Sequence, residues 1–212
     1  MDKYKETFQT WNKIASLYKD KFMDLDLYND TYDAFSELIT KRNSTILEIG
    51  CGPGNITKYL LEMRSDFKIT ATDIAPNMIA LAKKSNIAAD FNVLDSRDIG
   101  ELKIEYDAII AGFCIPYLSK EDCSKLIKDS SNLLTDTGVI YLSFVEGDYE
   151  DSNYQTGSSG DRIFFHYHNL NSFKKELEIT GFKIIEIMHK KFEKSDKSEE
   201  IHTILIAKKT KA

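Results

Sequence analysis

The segment Thr45-Ile-Leu-Glu-Ile-Gly-Cys-Gly-Pro-Gly54 restricts the fold of this chain more than any other. Its first five residues are an apolar run of strand length, and Ile56, Tyr59, Leu60 and Met63 then recur at helical spacing. Between them glycine stands at positions 50, 52 and 54. Glycines there let the chain turn sharply and bring bare backbone N–H groups against whatever lies in front of the turn. A strand, a glycine turn and a helix in that order open a βαβ unit.

The rest of the chain repeats the unit. Lys68 to Thr72 reads as the next strand, and a helix entered through Pro76 carries Met78, Ile79, Leu81 and Ala82. Further apolar runs lie around Ala88 to Leu94, Asp107 to Ala111 and Val139 to Val145. Before the last of them a helix places Cys123, Leu126, Ile127, Leu133 and Leu134 on one face, with Gly138 read as its stop signal. Strands alternating with helices imply a doubly wound α/β fold, a parallel sheet covered on both faces. Two segments depart from the alternation. Ahead of the first strand, Trp11, Ile14, Ala15, Tyr18 and Phe22, then Tyr28, Tyr32, Phe35 and Ile39, predict two amphipathic helices. After a helix over Asn171 to Thr180 that ends at Gly181, the strands Phe182 to Met188 and Ile201 to Ala207 follow one another as an antiparallel pair, joined by a charged loop over Lys190 to Glu200.

The 212 residues are expected to form a single domain. Within it, residues 1–42 are read as an N-terminal helical lid and residues 146–168 as an acceptor-side insertion. A formal charge of −6 repels phosphate backbones, so no nucleic-acid partner is expected. No apolar run reaches the roughly 20 residues of a membrane helix and the N-terminus lacks a secretory h-region, so the expectation is a cytoplasmic protein without a membrane partner. The cysteines Cys51, Cys114 and Cys123 match neither a disulfide framework nor a paired metal site, and no metal is expected.

The glycine spacing separates two chemistries. The dinucleotide fingerprint G-x-G-x-x-G wants its third glycine where this chain has Asn55, which disfavours NAD. Asp73 ends the second strand, where a carboxylate accepts hydrogen bonds from both hydroxyls of a ribose or, in the plainer reading, caps the following helix. Asp95 ends the third strand, within reach of an adenine amine for a ligand laid across the strand ends.

Taken together, Glu48, the three glycines, Asp73 and Asp95 resemble the class I S-adenosylmethionine-dependent methyltransferases of small bacterial type, and the string E-I-G-C-G-P-G is highly specific for them. The resemblance covers nearly the whole chain. It implies a mostly parallel seven-stranded Rossmann-like methyltransferase sheet with a C-terminal antiparallel strand pair, and S-adenosyl-L-methionine as cofactor. By that resemblance Gly50, Cys51 and Gly52 meet the methionine part of the cofactor, and Glu48 orients its amino group. Asp73 holds the ribose, Ile74 and Met78 flank the adenine, and Asp95 with Ser96 reads the adenine edge. Gly112 and Phe113 pass under the sulfonium, and Tyr18 approaches the amino-acid end. Methyl transfer to an O or N atom of a small organic molecule is the expected activity. The alternatives are a non-catalytic cofactor-binding protein and a methyltransferase acting on a protein or RNA. Alternation in Arg162, Phe164, His166 and His168 makes His166 the candidate general base, weighed against surface histidines on a short strand.

Overall fold

The computed structural model describes residues 2–85, 88–157, 160–194 and 197–210. Its centre is a seven-stranded sheet of order β3-β2-β1-β4-β5-β9-β8. The strands β1 (Thr45–Ile49), β2 (Lys68–Asp73), β3 (Asp90–Val93), β4 (Tyr106–Ala111) and β5 (Leu134–Val145) run parallel. The strands β8 (Phe182–Glu193) and β9 (Glu199–Lys209) pair antiparallel, and β9 lies antiparallel on β5. A separate hairpin joins β6 (Asn153–Thr156) to β7 (Arg162–Phe165). This is the sheet the sequence pattern implied, with its order reversing between β1 and β4, where doubly wound folds open a crevice at the strand ends.

Period-two alternation divides the core between the two faces. Leu47, Ile49, Ile140, Leu142 and Phe144 pack with Leu126 and Ile127 of α6 (Lys120–Leu133) and with Phe173 and Leu177 of α7 (Leu170–Ile179). On the other face Ile46, Tyr141, Ile204 and Ile206 pack with Phe35 of α3 (Asn29–Glu37), Leu60 of α4 (Asn55–Met63) and Ile79 of α5 (Pro76–Ser85). Burying both faces explains why the strands read as continuous apolar runs rather than as alternating ones.

Four sequence expectations need correction. The first predicted helix is two, α1 (Lys3–Lys13) and α2 (Ala15–Phe22), because Ile14 leaves helical geometry at φ −93° and ψ 13°. Gly138 is not a helix stop: α6 ends at Leu133, β5 starts at Leu134, and the chain folds so tightly there that a Cβ on Gly138 would lie 2.9 Å from Leu134 Cβ. The charged loop Lys190 to Glu200 is mostly strand. Opposite charges face across the hairpin at Lys191–Glu199 (3.3 Å) and Lys194–Glu200 (2.9 Å), and Phe192 stacks on His202, so β8 and β9 extend to Glu193 and from Glu199. Residues 195 and 196 of that loop lie outside the described residues. Finally, the surface-histidine reading fails, since His166 and His168 are buried at 1% and 3% exposure.

Candidate active site

The three glycines of the β1–α4 turn all take left-handed backbone, at φ 70° (Gly50), 53° (Gly52) and 87° (Gly54). Their conformation carries the chain across the C-terminal end of β1, where the Gly52 N–H donates to Asp73 Oδ2 at 2.9 Å. The other Asp73 oxygen accepts from the Ala75 N–H at 2.8 Å. The helix-entry and ligand readings of Asp73 therefore meet in one carboxylate: it fixes both turns and lines the cleft between them. Burial raises its pKa, against the two N–H donors that favour the ionised form.

That cleft encloses about 840 Å³, its open mouth included, and brings together Gly50, Gly52, Asp73, Ile74, Met78, Asp95, Ser96, Gly112, Phe113 and Tyr18. A small-molecule site of this kind combines apolar walls with few polar groups. Met78 and Ile74 form the wall beyond Asp73, while Gly50 and Gly52 lie under Tyr18 and Cys114: a Cβ on Gly52 would sit 3.6 Å from the Tyr18 ring, and one on Gly50 only 2.6 Å from Cys114 Cβ. Phe113 takes a left-handed φ of 62° and donates its N–H to Ser143 Oγ at 2.8 Å, which holds the loop after β4 against β5.

Asp95 is already paired. Arg97 reaches it through Nε at 3.0 Å and its own backbone N–H at 2.9 Å, and the guanidinium lies 4.2 Å from the centre of the Tyr4 ring. Burial acts to raise the Asp95 carboxyl, but the hydrogen bonds and charge of Arg97 outweigh it and hold it below the ordinary carboxylate value. The Tyr4 hydroxyl bonds to Asp122 and accepts from the Ser119 N–H, so the start of α1 is tied to the start of α6.

Two of the expected contacts and the candidate base do not line the cleft. Glu48 is fully buried, Thr57 donates to its Oε2, and its Oε1 has no partner among the described residues. Burial pushes this carboxyl up to about 8. Cys51 is buried behind the turn, with its thiol raised by burial. The His166 ring lies in an aromatic cluster with Phe164 at 4.8 Å and Tyr149 at 5.5 Å, its backbone N–H donates to Pro116 O at 2.7 Å, and burial first, then Lys3, lowers its pKa to about 4. The structure does not bring His166 to the cleft.

Sequence reasoning missed part of the wall. Tyr4, Thr7 and Phe8 line the cleft from α1 beside Trp11, which the lid reading already included, and their spacing of three and four residues was a signal open to inspection. Arg97, Cys114 and Leu118 had no such signal, because they come from the irregular turns after β3 and β4. α1 is in turn fastened to the hairpin: Phe164 N–H donates to Thr7 Oγ1 (2.9 Å), Thr10 Oγ1 to Arg162 O (2.8 Å), and Lys13 pairs with Asp161 (2.8 Å). Among the described residues no group of three potential metal ligands occurs, and no helix is long and apolar enough to cross a membrane.

Residues 46–138 match the family model described as a methyltransferase domain. Over 172 residues, 76% of this chain, it is 27% identical to a tRNA N(3)-methylcytidine methyltransferase of Schizosaccharomyces pombe. Over 111 residues, 50% of this chain, it is 42% identical to a malonyl-[acyl-carrier protein] O-methyltransferase of Acetivibrio thermocellus. Among solved structures, the 1,6-didemethyltoxoflavin-N1-methyltransferase of Burkholderia thailandensis, crystallised with 1,6-didemethyltoxoflavin and S-adenosylhomocysteine, superposes with a TM-score of 0.71 at 16% identity, covering 97% of this chain and 88% of that one. The chain spans 68% of the length of the tRNA enzyme, 38% of the malonyl enzyme and 49% of a further viral relative. Residues 46–138 thus resemble a methyltransferase domain, and the sheet order around them is the fold of the solved methyltransferases to which the chain is similar. The solved methyltransferase to which the chain is similar holds S-adenosylhomocysteine, and the cleft residues here fit S-adenosylmethionine: the turn glycines leave a cradle that side chains would fill, and Asp73 supplies the carboxylate a ribose needs.

Proposed function

We propose that this protein is a cytoplasmic enzyme that moves a methyl group from S-adenosylmethionine to an oxygen or nitrogen atom of a small organic molecule. The observation that carries this reading is the aromatic wall of the cleft, to which Tyr4, Phe8 and Trp11 of α1, Tyr18 of α2 and Tyr117 contribute beside the glycine turn and Asp73. When bound, S-adenosylmethionine supplies a methyl carbon already activated by its sulfonium. The chain's own part is to hold and orient: Asp73 on the ribose, Gly50 and Gly52 beside the amino-acid end, Tyr18 above them, Ile74 and Met78 along the adenine, and Phe113 with Cys114 as the floor. Positioning two reactants in this way contributes much of the acceleration of an in-line displacement.

The tRNA methyltransferase among the relatives gives RNA methylation as a second reading, against which stands the formal charge of −6. Incubation with S-adenosylmethionine labelled in its methyl group, offered either a cellular small-molecule extract or total tRNA, separates the two. Label is expected in a small organic product. Label in tRNA alone replaces the acceptor class, and label in neither leaves a cofactor-binding protein without transfer.

Of the lid read over residues 1–42, α1 and α2 are proposed as the moving part, since α3 is anchored in the core through Tyr32 and Phe35. Their ties to the hairpin are the two threonine hydrogen bonds and the ion pairs Lys13–Asp161 and Arg162–Glu6, whose basic side chains are solvent-exposed and screened. Trp11 is the only tryptophan and lines the cleft. Saturating S-adenosylhomocysteine is expected to shift Trp11 fluorescence and slow proteolysis within α1 and α2, as when a ligand orders a weakly held segment. An unchanged spectrum and cleavage rate would make these helices a fixed wall.

A further inference from the structure

The cleft wall that α1 shares with the loop after β4 carries hydroxyl donors that no other described residue uses. Tyr117 closes the short turn Ile115–Tyr117, three residues beyond Cys114, and lines the cleft. Its ring centre lies 5.3 Å from Trp11 of α1 and 6.0 Å from Phe165 of β7, so it stands where the β4 loop, α1 and the hairpin meet. Among the described residues no hydrogen bond engages its hydroxyl: burial, then Tyr18, Cys114 and Glu200, raise its pKa well above the ordinary phenol value, and Tyr18 and Cys114 line the same cleft. Thr7, one helical turn before Trp11, also lines the cleft and is buried. Its Oγ1 accepts the N–H of Phe164, the neighbour of the Phe165 that Tyr117 packs on, and this leaves the Thr7 O–H to donate. The Trp11 indole N–H has no partner among the described residues either. Polar groups in such a place are ordinarily satisfied, so unspent donors on one wall suit a ligand that brings acceptor atoms.

The described residues of the same wall include no group suited to taking a proton at neutral pH. Burial pushes Tyr4, Tyr18 and Cys114 up to about 12. Asp73 is committed to the Gly52 and Ala75 N–H groups and Asp95 to Arg97, while Glu48 and His166 do not line the cleft. An alcohol or an ammonium must lose a proton in becoming methylated, and this wall provides nothing to receive it. A carboxylic acid arrives already ionised, since its ordinary pKa lies near 4. It brings two acceptor oxygens, one for the hydroxyl donors and one left free to attack. The apolar side chains of Phe8, Trp11 and Leu118 on the same cleft suit an apolar body behind the carboxylate.

We propose that the acceptor is a carboxylic acid with an apolar body, its carboxylate held by the Tyr117 and Thr7 hydroxyls, and that the product is a methyl ester. The inference rests on the methyltransferase reading above and narrows it. One carboxylate oxygen accepts from Tyr117 and Thr7. The other forms the O–CH3 bond with its own electron pair as the carbon–sulfur bond breaks with its pair going to sulfur. No proton is taken up or released.

Two measurements test it. In the extract labelling above, mild alkali is expected to release the product label as methanol, as from a methyl ester and not from a methyl ether or a methylated amine. The residues are tested by calorimetry on the intact protein saturated in S-adenosylhomocysteine, so that no transfer is required, with the pairs benzoate and benzamide, and octanoate and octanamide. At least one acid is expected to bind about tenfold tighter than its amide, as a charge-assisted hydrogen bond allows. Tyr117→Phe keeps the ring and loses only the oxygen, and is expected to erase that preference with S-adenosylhomocysteine affinity within threefold of wild type. Thr7→Val is expected to reduce the preference, and Thr10→Val to keep it, since Thr10→Val cuts the neighbouring tie to Arg162 O without altering the cleft wall. Alkali-stable label overturns the ester class. Acids that bind no tighter than their amides, or a preference that survives Tyr117→Phe in a folded variant, overturn the hydroxyl clamp, and equal loss in Thr7→Val and Thr10→Val removes Thr7 from it. Failure of S-adenosylhomocysteine to bind, or of any label to be transferred, refutes instead the underlying methyltransferase reading.

Discussion

Asp73→Ala is expected to weaken S-adenosylhomocysteine binding by on the order of 10²-fold or more, the largest loss from any single side chain in the cleft. A charge-assisted hydrogen bond is worth roughly 1.5–3 kcal/mol, and a carboxylate facing a ribose makes two. The same side chain accepts the Gly52 and Ala75 N–H groups at 2.9 and 2.8 Å, so its removal also frees the two turns that shape the cleft. Asp73→Asn separates the contributions, since it keeps one acceptor oxygen and loses the charge, and an intermediate loss is expected. Calorimetric titration of each folded variant reads both. Affinity for S-adenosylhomocysteine unchanged in Asp73→Ala would remove this residue from the site.

Gly50→Ala carries the second large effect. Its φ of 70° is the left-handed region, costing an L side chain roughly 1–2 kcal/mol, and the added Cβ would stand 2.6 Å from Cys114 Cβ, a contact with no flexible end to swing away. A total destabilisation of about 2–4 kcal/mol is expected in urea unfolding, together with loss of cofactor binding as the loop after β4 is pushed off the glycine turn. Gly160→Ala is the matched control. Gly160 shares the left-handed conformation at φ 79° but has nothing within 4 Å of the added Cβ, so strain alone should appear, about 1 kcal/mol, with cofactor affinity unaltered. Equal destabilisation by the two substitutions would refute the close approach of Gly50 to Cys114.

These two residues stood out in the sequence because local chemistry dictates them: a left-handed turn selects glycine, and a carboxylate at a strand end selects Asp. Periodicity likewise exposed the βαβ strands, since burial on both faces writes itself into every residue of a run. What the sequence concealed is what depends on distant pairing. Nothing near Lys190 announces that Phe192 will stack on His202 across a hairpin, or that cross-strand ion pairs will extend both strands past their apolar centres. The buried hydrogen bond between Tyr28 and His202 joins residues 174 apart, which read separately as a helix position and a strand position. The alternation over Arg162 to His168 was visible, but which way its histidines face depends on α1 docking the hairpin, and it turns His166 inward among Tyr149 and Phe164. Asp95 shows the same limit, because only the fold reveals that Arg97 already occupies its oxygens.

The crevice at the ends of β1, β2 and β4 is expected to accept S-adenosylmethionine and not a dinucleotide. Side-by-side calorimetric titration of the wild-type protein with S-adenosylhomocysteine and with NAD tests it directly. Saturable one-to-one binding of S-adenosylhomocysteine, with NAD at least 100-fold weaker by roughly 2.7 kcal/mol, is the predicted result. Binding of NAD as tight as that of S-adenosylhomocysteine, or no binding of S-adenosylhomocysteine, would contradict it.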